Sequence, residues 1–344
     1  MLALVTGGGG FLGRAIVEQL RASGQRVRCL ARGHYPELAA RGVECMRVDV
    51  RDRAAVRAAC AGVDVVYHTA ALAGIWGPSR DYFDINVVGT QNLIAGCRAE
   101  RVAKLVYTSS PSVTFDGRPQ ENVDERAPYP RRWLCHYART KAEAERHVLA
   151  ANGPDLLTCA LRPHLIWGPG DPHLIPRLIA RARVGALRRV GDGKNQIDMV
   201  YVDNAAQAHL QAAAGLAAGS RVAGSAYFIS QGASVNCWQW IDEILSLAAV
   251  PPVEKSIPLR IAWRIGGMLE AVYWLLGKNS EPRMTRFLAA QLGTSHFFDI
   301  SRARRDFGYE PAVSTAEGMR RLAAWLQGST DACAKEIRTS PTQR

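Results

Sequence analysis

The stretch VTGGGGFLGRAIVEQL, residues 5–20, runs from a short apolar segment through four glycines into a segment with apolar residues at helical spacing. Within it stands Thr6-Gly7-x-x-Gly10-x-x-Gly13. Glycines so spaced keep a turn tight, let the backbone approach a pyrophosphate and let helix and strand pack closely, with the phosphates on the helix N-terminus. A glycine pattern alone is weak, but this one has the required strand before it and helix after it. It predicts a dinucleotide site drawing on Thr6, Gly7, Gly10, Phe11, Leu12 and Gly13.

Working outward, short apolar runs alternate with helical stretches: LALVTG, residues 11–23, RVRCLA, VECMRVDV, residues 53–60, VDVVYHTAA, residues 82–100 and KLVYTSS. Alternating strands and helices predict an α/β fold, a Rossmann-type doubly wound parallel sheet covered on both faces. LTCALRP and AYFIS extend the sheet. After residue 165 the chain is richer in Pro and Gly, with helices expected at about 173–184, 204–218 and 236–249. This divides the chain into a dinucleotide-binding domain over 1–165, with later strands contributed from about 195–230, and a smaller, interleaved C-terminal substrate lobe over 166–327. The polar segment 328–344 is expected to be a disordered tail.

The 344 residues are 48% hydrophobic, enough for a sizeable core. Because MLALVTGGGG passes straight from strand to glycines, it leaves no room for a secretion signal, and a cytoplasmic protein is expected. The eight cysteines form no C-x-x-C pair and no cluster at metal spacing, so they read as buried thiols and no metal is expected. The net charge of +12 comes from basic residues spread along the chain, 37 of the 43 being arginine, without a basic block or a nucleic-acid-reading motif. Nucleic acid is therefore not an expected partner, whereas peripheral contact with an anionic membrane is compatible with the charge. The most apolar stretch is IPLRIAWRIGGMLEAVYWLLG, residues 257–277. Its Arg260, Arg264, Gly267 and Glu270 make a narrow polar stripe that argues against a spanning helix. Two readings remain, a buried helix of the smaller lobe or an amphipathic helix beside a greasy cavity.

The second strand, RVRCLARGH, has Ala31 and Arg32 where an NAD site of this kind usually carries an acid for the ribose hydroxyls. An acid repels a 2'-phosphate and a guanidinium pairs with it, so NADP(H) is favoured over NAD(H). Asp49 and Val50, after the third strand, are placed to meet the adenine.

YTSSPSV ends a strand at the sheet edge where a nicotinamide would lie, and HYARTK opens the following helix. Ser110, Tyr137 and Lys141 are thus expected to converge there. Hydride transfer to a ketone leaves an alkoxide that needs a proton, and a free phenol near pKa 10 exchanges protons poorly at neutrality. In this reading Ser110 hydrogen-bonds the substrate oxygen, Tyr137 exchanges the proton, and the Lys141 ammonium lowers the pKa of Tyr137 and holds the nicotinamide ribose.

With these elements the sequence resembles the extended short-chain dehydrogenase/reductases over about residues 1–325, through the glycine motif, DVVYHTAA, NVVGTQNL with Asn86, Ser110, Tyr137-x-x-x-Lys141, RPHLIWGPGD and GDGKNQIDMVYVDNAAQAH. The resemblance implies that Ala70 and Ala71 line the cofactor and that Pro163 and His164 sit near its nicotinamide end. Nucleotide-sugar epimerases and dehydratases usually follow the catalytic Ser with V-Y-G and carry Asn where this chain has His164. GIWGPSRDYFDINVVGTQNLI, TSSPSVTFDG and RPHLIWGPGDPHLIPRLI are instead similar to the 3β-hydroxysteroid dehydrogenase group. Within it the nearest patterns are those of sterol-4-carboxylate 3-dehydrogenases and of the bacterial 2-alkyl-3-oxoalkanoate reductases of long-chain olefin biosynthesis. The resemblance implies an NADPH-dependent reduction of a long-chain 2-alkyl-3-oxoalkanoate to the 3-hydroxy acid, with a steroid or sterol 3β-dehydrogenase as the alternative. It also implies a hydrophobic small-molecule substrate, a homo-oligomer and contact with other enzymes of the same pathway. A catalytically silent dinucleotide sensor is disfavoured by the intact Ser110, Tyr137 and Lys141.

Overall fold

In the computed structural model the backbone is described for residues 1–339 and the side chains for residues 1–328. Seven strands make one parallel sheet: β1 (Leu2–Thr6), β2 (Arg26–Ala31), β3 (Glu44–Arg47), β4 (Val65–His68), β5 (Lys104–Thr108), β6 (Leu157–Pro163) and β7 (Ser225–Ile229). Their order is β7-β6-β5-β4-β1-β2-β3. Every residue of β1 is buried, as in a strand covered on both faces. Its side chains alternate between two cores, Ala3 and Val5 in one, Leu2 and Leu4 in the other.

Helices α1 (Phe11–Ala22), α2 (Arg53–Cys60), α3 (Gly89–Ala99), α4 (His136–Ala150) and α5 (Val202–Gly215) cover the sheet. α1 packs beside α5, while α2, α3 and α4 pack in sequence against one another. Leu12, Ala15, Ile16, Val17 and Leu20 form the buried stripe of α1, the periodicity expected of a helix laid on a sheet. Between β1 and β4 the strand order reverses direction, which opens a crevice beyond the carboxyl ends of these strands.

The smaller lobe is built from short strands. Residues Gln120–Val123, His296–Phe298, Gln196–Ile197 and Val235–Asn236 make a four-stranded sheet, and Ile166–Trp167 pairs with Val200–Tyr201. The strands at 196–197 and 200–201 therefore join the smaller sheets, and β7 is the late strand that enters the large one. Further helices are α6 (Leu259–Leu275), α7 (Arg286–Gly293) and α8 (Thr315–Thr339). α8 carries helix past residue 328, where an irregular tail was expected, because no proline interrupts the chain until Pro341. The rest of that segment, 340–344, lies outside the described residues.

Two expectations need correction. α6 is not a buried helix: only Ala262 and Gly266 are buried, while Ile261, Met268, Val272, Trp274 and Leu275 are exposed. Nor are all the thiols buried, since Cys45 is exposed on the outermost strand and Cys135 half-buried; Cys333 lies outside the described side chains. Among the described residues no helix is long and apolar enough to cross a membrane.

Candidate active site

The carboxyl ends of β1, β4, β5 and β6 deliver, in turn, the glycine loop, Thr69–Ala71, Ser110 and His164 to one edge of the sheet. Three cavities line up there. The first, about 290 Å³, is walled by Gly7, Gly10, Arg32, Asp49, Val50, Ala70 and Ala71, together with Tyr35. The second, about 230 Å³, holds Ser110, Tyr137, Pro163 and His164. The third, about 930 Å³, lies between the 75–79 loop, the 133–139 segment and α6, and Ile75 lines both it and the second.

The glycine loop fits a dinucleotide. Gly7 has φ +69°, a left-handed conformation, and a Cβ there would sit 2.9 Å from Thr69 Oγ1 and from the Ala70 nitrogen. A Cβ on Gly13 would sit 2.1 Å from the Gly7 carbonyl oxygen, so helix and loop touch through backbone alone. The first helical bond of α1 is Arg14 N–H to Gly10 O, 2.8 Å, which leaves the amides before it for a phosphate. Phe11 and Leu12 do not line the first cavity with their side chains; Leu12 points into the core. What they offer toward that cavity, like Gly13, is backbone alone. Thr6 is also buried, with Oγ1 2.7 Å from His68 Nδ1 and accepting from Ala70 N–H at 3.2 Å. It shapes the loop instead of facing the cavity.

At the far end of this cavity Arg51 chelates the Asp49 carboxylate, Nε to Oδ1 at 3.0 Å and Nη2 to Oδ2 at 2.7 Å. That hydrogen bonding holds the Asp49 carboxyl below its usual range. Arg32 lines the cavity and makes no ion pair among the described residues. Tyr35 was not foreseen. A Cβ on Gly9 would collide with its ring and one on Gly33 with its hydroxyl, so Tyr35 is packed against the two glycines.

In the second cavity the Tyr137 phenol and Ser110 line the same wall space, and Ser110 Oγ accepts from Ser112 N–H at 3.2 Å and Ser112 Oγ at 2.9 Å. Burial pushes the Tyr137 phenol up to about 12, with the nearby Ser110 hydroxyl working against it. The Lys141 ammonium does not lower it as expected. It donates to the Thr108 carbonyl oxygen and lies 4.2 Å above the Tyr107 ring. Burial depresses Lys141 to about 7, partly opposed by Glu145.

Tyr137, Lys141 and Glu145 follow one another at four-residue steps and so share a face of α4. Glu145 closes that stripe in a buried bidentate pair with Arg162, 2.6 and 3.0 Å, and accepts from the Tyr129 hydroxyl at 2.5 Å. Burial raises the Glu145 carboxyl, but the Arg162 guanidinium outweighs it and the net shift is downward.

Asn86 has a positioning role that its motif did not reveal. It is buried on a π-helical turn, Phe83–Val88, accepts from Leu72 N–H at 2.7 Å, and donates to Leu72 O at 3.2 Å and Thr140 Oγ1 at 3.0 Å. One side chain thereby ties the loop after β4 to α4. His296, which lines the second cavity, had no signal in the sequence.

Residues 4–257 match the 3-beta hydroxysteroid dehydrogenase/isomerase family. The chain is 50% identical over 326 residues to 2-alkyl-3-oxoalkanoate reductase of Stenotrophomonas maltophilia (strain K279a), covering 94% of this chain and 99% of that protein. It is 48% identical over 332 residues to the 2-alkyl-3-oxoalkanoate reductase of Shewanella oneidensis, covering 94% and 86%. Among solved structures it is similar to UDP-glucose 4-epimerase of Thermus thermophilus in complex with NAD, with TM-score 0.72 and 25% identity over 96% of this chain and 100% of the other.

Proposed function

The chain belongs to the 3-beta hydroxysteroid dehydrogenase/isomerase family, and from that premise we propose that it reduces the 3-oxo group of a long-chain 2-alkyl-3-oxoalkanoate to the 3-hydroxy acid, with NADPH as reductant. The observation that carries this reading is that Ser110 and Tyr137 line one cavity that borders, at Ile75, a much larger one walled by Trp76, Trp133, Tyr273 and Trp274. The half-identical reductases support the same substrate class, and the proposal includes a place in long-chain olefin biosynthesis.

When bound, the dinucleotide supplies a hydride. Ser110 Oγ donates to the substrate carbonyl oxygen and orients it. Tyr137, whose raised pKa keeps it protonated at neutrality, transfers its proton to the alkoxide oxygen as that charge develops. In this proposal Lys141, which donates to Thr108, would also hold the ribose hydroxyls, and the glycine loop with the amides of Phe11 and Leu12 would hold the phosphates. Gly10, Val50, Ala70 and Ala71 wall the adenosine end, and Arg32, standing where an acid would otherwise be, favours the 2'-phosphate of NADP.

The exposed end of α6, with Met268, Val272, Leu275 and Leu276, is followed by Lys278 and preceded by Arg260 and Arg264, which supports peripheral contact with an anionic membrane surface. The family's name favours a second reading, oxidation of a 3β-hydroxysteroid. Both readings are tested by following NADPH consumption with a long-chain 2-alkyl-3-oxoalkanoate, a 3-ketosteroid and a UDP-sugar. Turnover confined to the ketosteroid would replace the first reading by the second.

A further inference from the structure

In a 3-oxo acid the carboxylate carbon is only two bonds from the ketone carbon. With the ketone oxygen on Ser110 and Tyr137, the carboxylate has to lie in the same small cavity. The residues lining that cavity include no Lys, Arg, Asp or Glu. Its walls are largely apolar, Phe115, Phe287 and Phe298 among them, so an unpaired carboxylate would be strongly disfavoured. Apart from Tyr137, the titratable side chains that line it are His164 and His296.

These two imidazoles are buried and packed edge to face with ring centroids 4.8 Å apart. Each is pinned by a backbone carbonyl, His164 Nδ1 to Asp198 O and His296 Nε2 to Gln291 O, both 2.7 Å. A carbonyl only accepts, so the bonded nitrogen of each ring carries the proton and the other nitrogen is a free lone pair. His164 is left with Nε2 to offer, and His296 Nδ1 is buried without a hydrogen-bond partner. We propose that the His164–His296 pair recognises the substrate carboxylate, with His164 Nε2 taking up one proton from solvent as the acid binds, so that the charge enters as a carboxylate–imidazolium pair.

Burial, and for His164 the neighbouring His296, hold both rings below the usual imidazole range, so the free site is neutral at physiological pH. The groups that face the pair are the Asp198 and Gln291 backbone oxygens and Tyr137 across the cavity. The Asp198 carboxylate is turned to the Phe298 N–H at 2.8 Å, and Lys141 is committed to Thr108. Neither of these supplies the missing countercharge.

This inference rests on the reductase reading, and two measurements separate them. The first is kcat/KM with NADPH for a 2-alkyl-3-oxoalkanoate and for its methyl ester, in wild type, His164→Asn and His296→Gln. Asparagine can keep the donation to Asp198 O and glutamine that to Gln291 O, while each removes the free nitrogen. The acid-over-ester ratio should fall roughly 10- to 100-fold in His164→Asn, expressed in KM, and fall also in His296→Gln. Any loss common to both substrates cancels in the ratio. The second is calorimetric titration of the wild type with a long-chain 3-hydroxy acid in two buffers of different ionisation enthalpy, which should show uptake of about one proton that His164→Asn abolishes. An unchanged acid-over-ester ratio, or binding without proton uptake, would overturn the proposal. Proton-linked binding of the hydroxy acid without reduction of any oxo acid would instead overturn the reductase reading and leave the pair's role standing.

Discussion

Lys141 donates to the carbonyl oxygen of Thr108, the last residue of β5, and so fastens the start of α4 to the strand that leads into Ser110. The lysine is thus a brace between the two elements that carry the serine and the phenol. The bond also explains why its ammonium is buried at all, since a charged donor to a carbonyl recovers part of the lost hydration.

Burying that ammonium has a pH signature. Lys141 titrates at about 7 in the folded chain against an ordinary value of 10.5, so above pH 7 the unfolded chain binds one proton more. Stability should therefore rise with pH from 7 toward 8. As the pH nears 9 the thiols of Cys29, Cys135, Cys159 and Cys237, pushed up to about 12, reverse the trend, because unfolding lets them ionise. Urea unfolding at pH 7, 7.5 and 8 should show the rise in wild type and a flatter profile in Lys141→Met. Equal slopes in the two proteins would remove Lys141 as its source.

Tyr137 bears the proton in the proposed reaction, so Tyr137→Phe should reduce kcat on the order of 10²-fold or more while cofactor affinity, read by fluorescence titration, stays nearly unchanged. Ser110→Ala removes one hydrogen bond to the oxygen and should cost less. Near-normal turnover by folded Tyr137→Phe would assign the proton to another group.

The parts of this site written in local pattern were legible in the sequence. Strand β1, the glycine loop and α1 follow from composition over twenty residues, and Ser110 and Tyr137 from their places after β5 and at the start of α4. What was not legible depends on pairing between distant segments. His296 reaches the cavity because its strand pairs with Ile197 and Gln120, a register that no local pattern encodes. The direction of the Lys141 side chain was misjudged for a related reason, since spacing fixes the shared helix face but not which acceptor the ammonium finds. For α6, apolar composition suggested either burial or a greasy surface, and only the neighbouring elements decide between them.

The two tryptophans of α6 should behave differently. Trp274 lines the cavity of about 930 Å³, whereas Trp263 lies against the turn at Gly117, 3.3 Å from where a Cβ there would stand. Trp274→Ser should raise KM for long acyl chains more than for short ones, because each methylene removed from water contributes about 0.8 kcal/mol. Trp263→Ser should leave that chain-length dependence alone and lower stability by about 2 kcal/mol, seen as a fall in Tm. Equal KM changes for short and long substrates in Trp274→Ser would place the acyl chain elsewhere.

If the end of α6 meets a membrane, the wild type should sediment with phosphatidylglycerol vesicles at low salt and much less with phosphatidylcholine vesicles. Replacing the exposed Leu275 and Leu276 by Glu removes apolar contact and adds repulsion, so binding should be lost. Wild-type protein that stays in the supernatant with both lipids would rule out the contact, and a change in oligomeric state of the double variant would point to a second copy of the chain instead.

Cofactor choice turns on the residues after β2. Arg32 lines the first cavity free of any ion pair among the described residues, while the neighbouring acid Asp49 is chelated by Arg51 and its charge is already answered. Arg47 Nε donates to the Arg32 carbonyl at 3.2 Å, which steadies the backbone but leaves the guanidinium exposed. If that guanidinium clasps a 2'-phosphate, Arg32→Ala should weaken NADPH and hardly touch NADH, because only the phosphorylated ribose loses a charge-assisted bond. Bonds to charged groups contribute roughly 1.5–3 kcal/mol, so the NADPH preference should fall about 10- to 100-fold. Ala31→Asp should go further and reverse it, since a carboxylate at the end of β2 accepts from both ribose hydroxyls of NADH and repels the phosphate of NADPH. The measurement is kcat/KM for each cofactor at fixed ketone concentration in wild type and both variants. A wild type that already prefers NADH would refute this role for Arg32 and leave the roles of Ser110 and Tyr137 untouched.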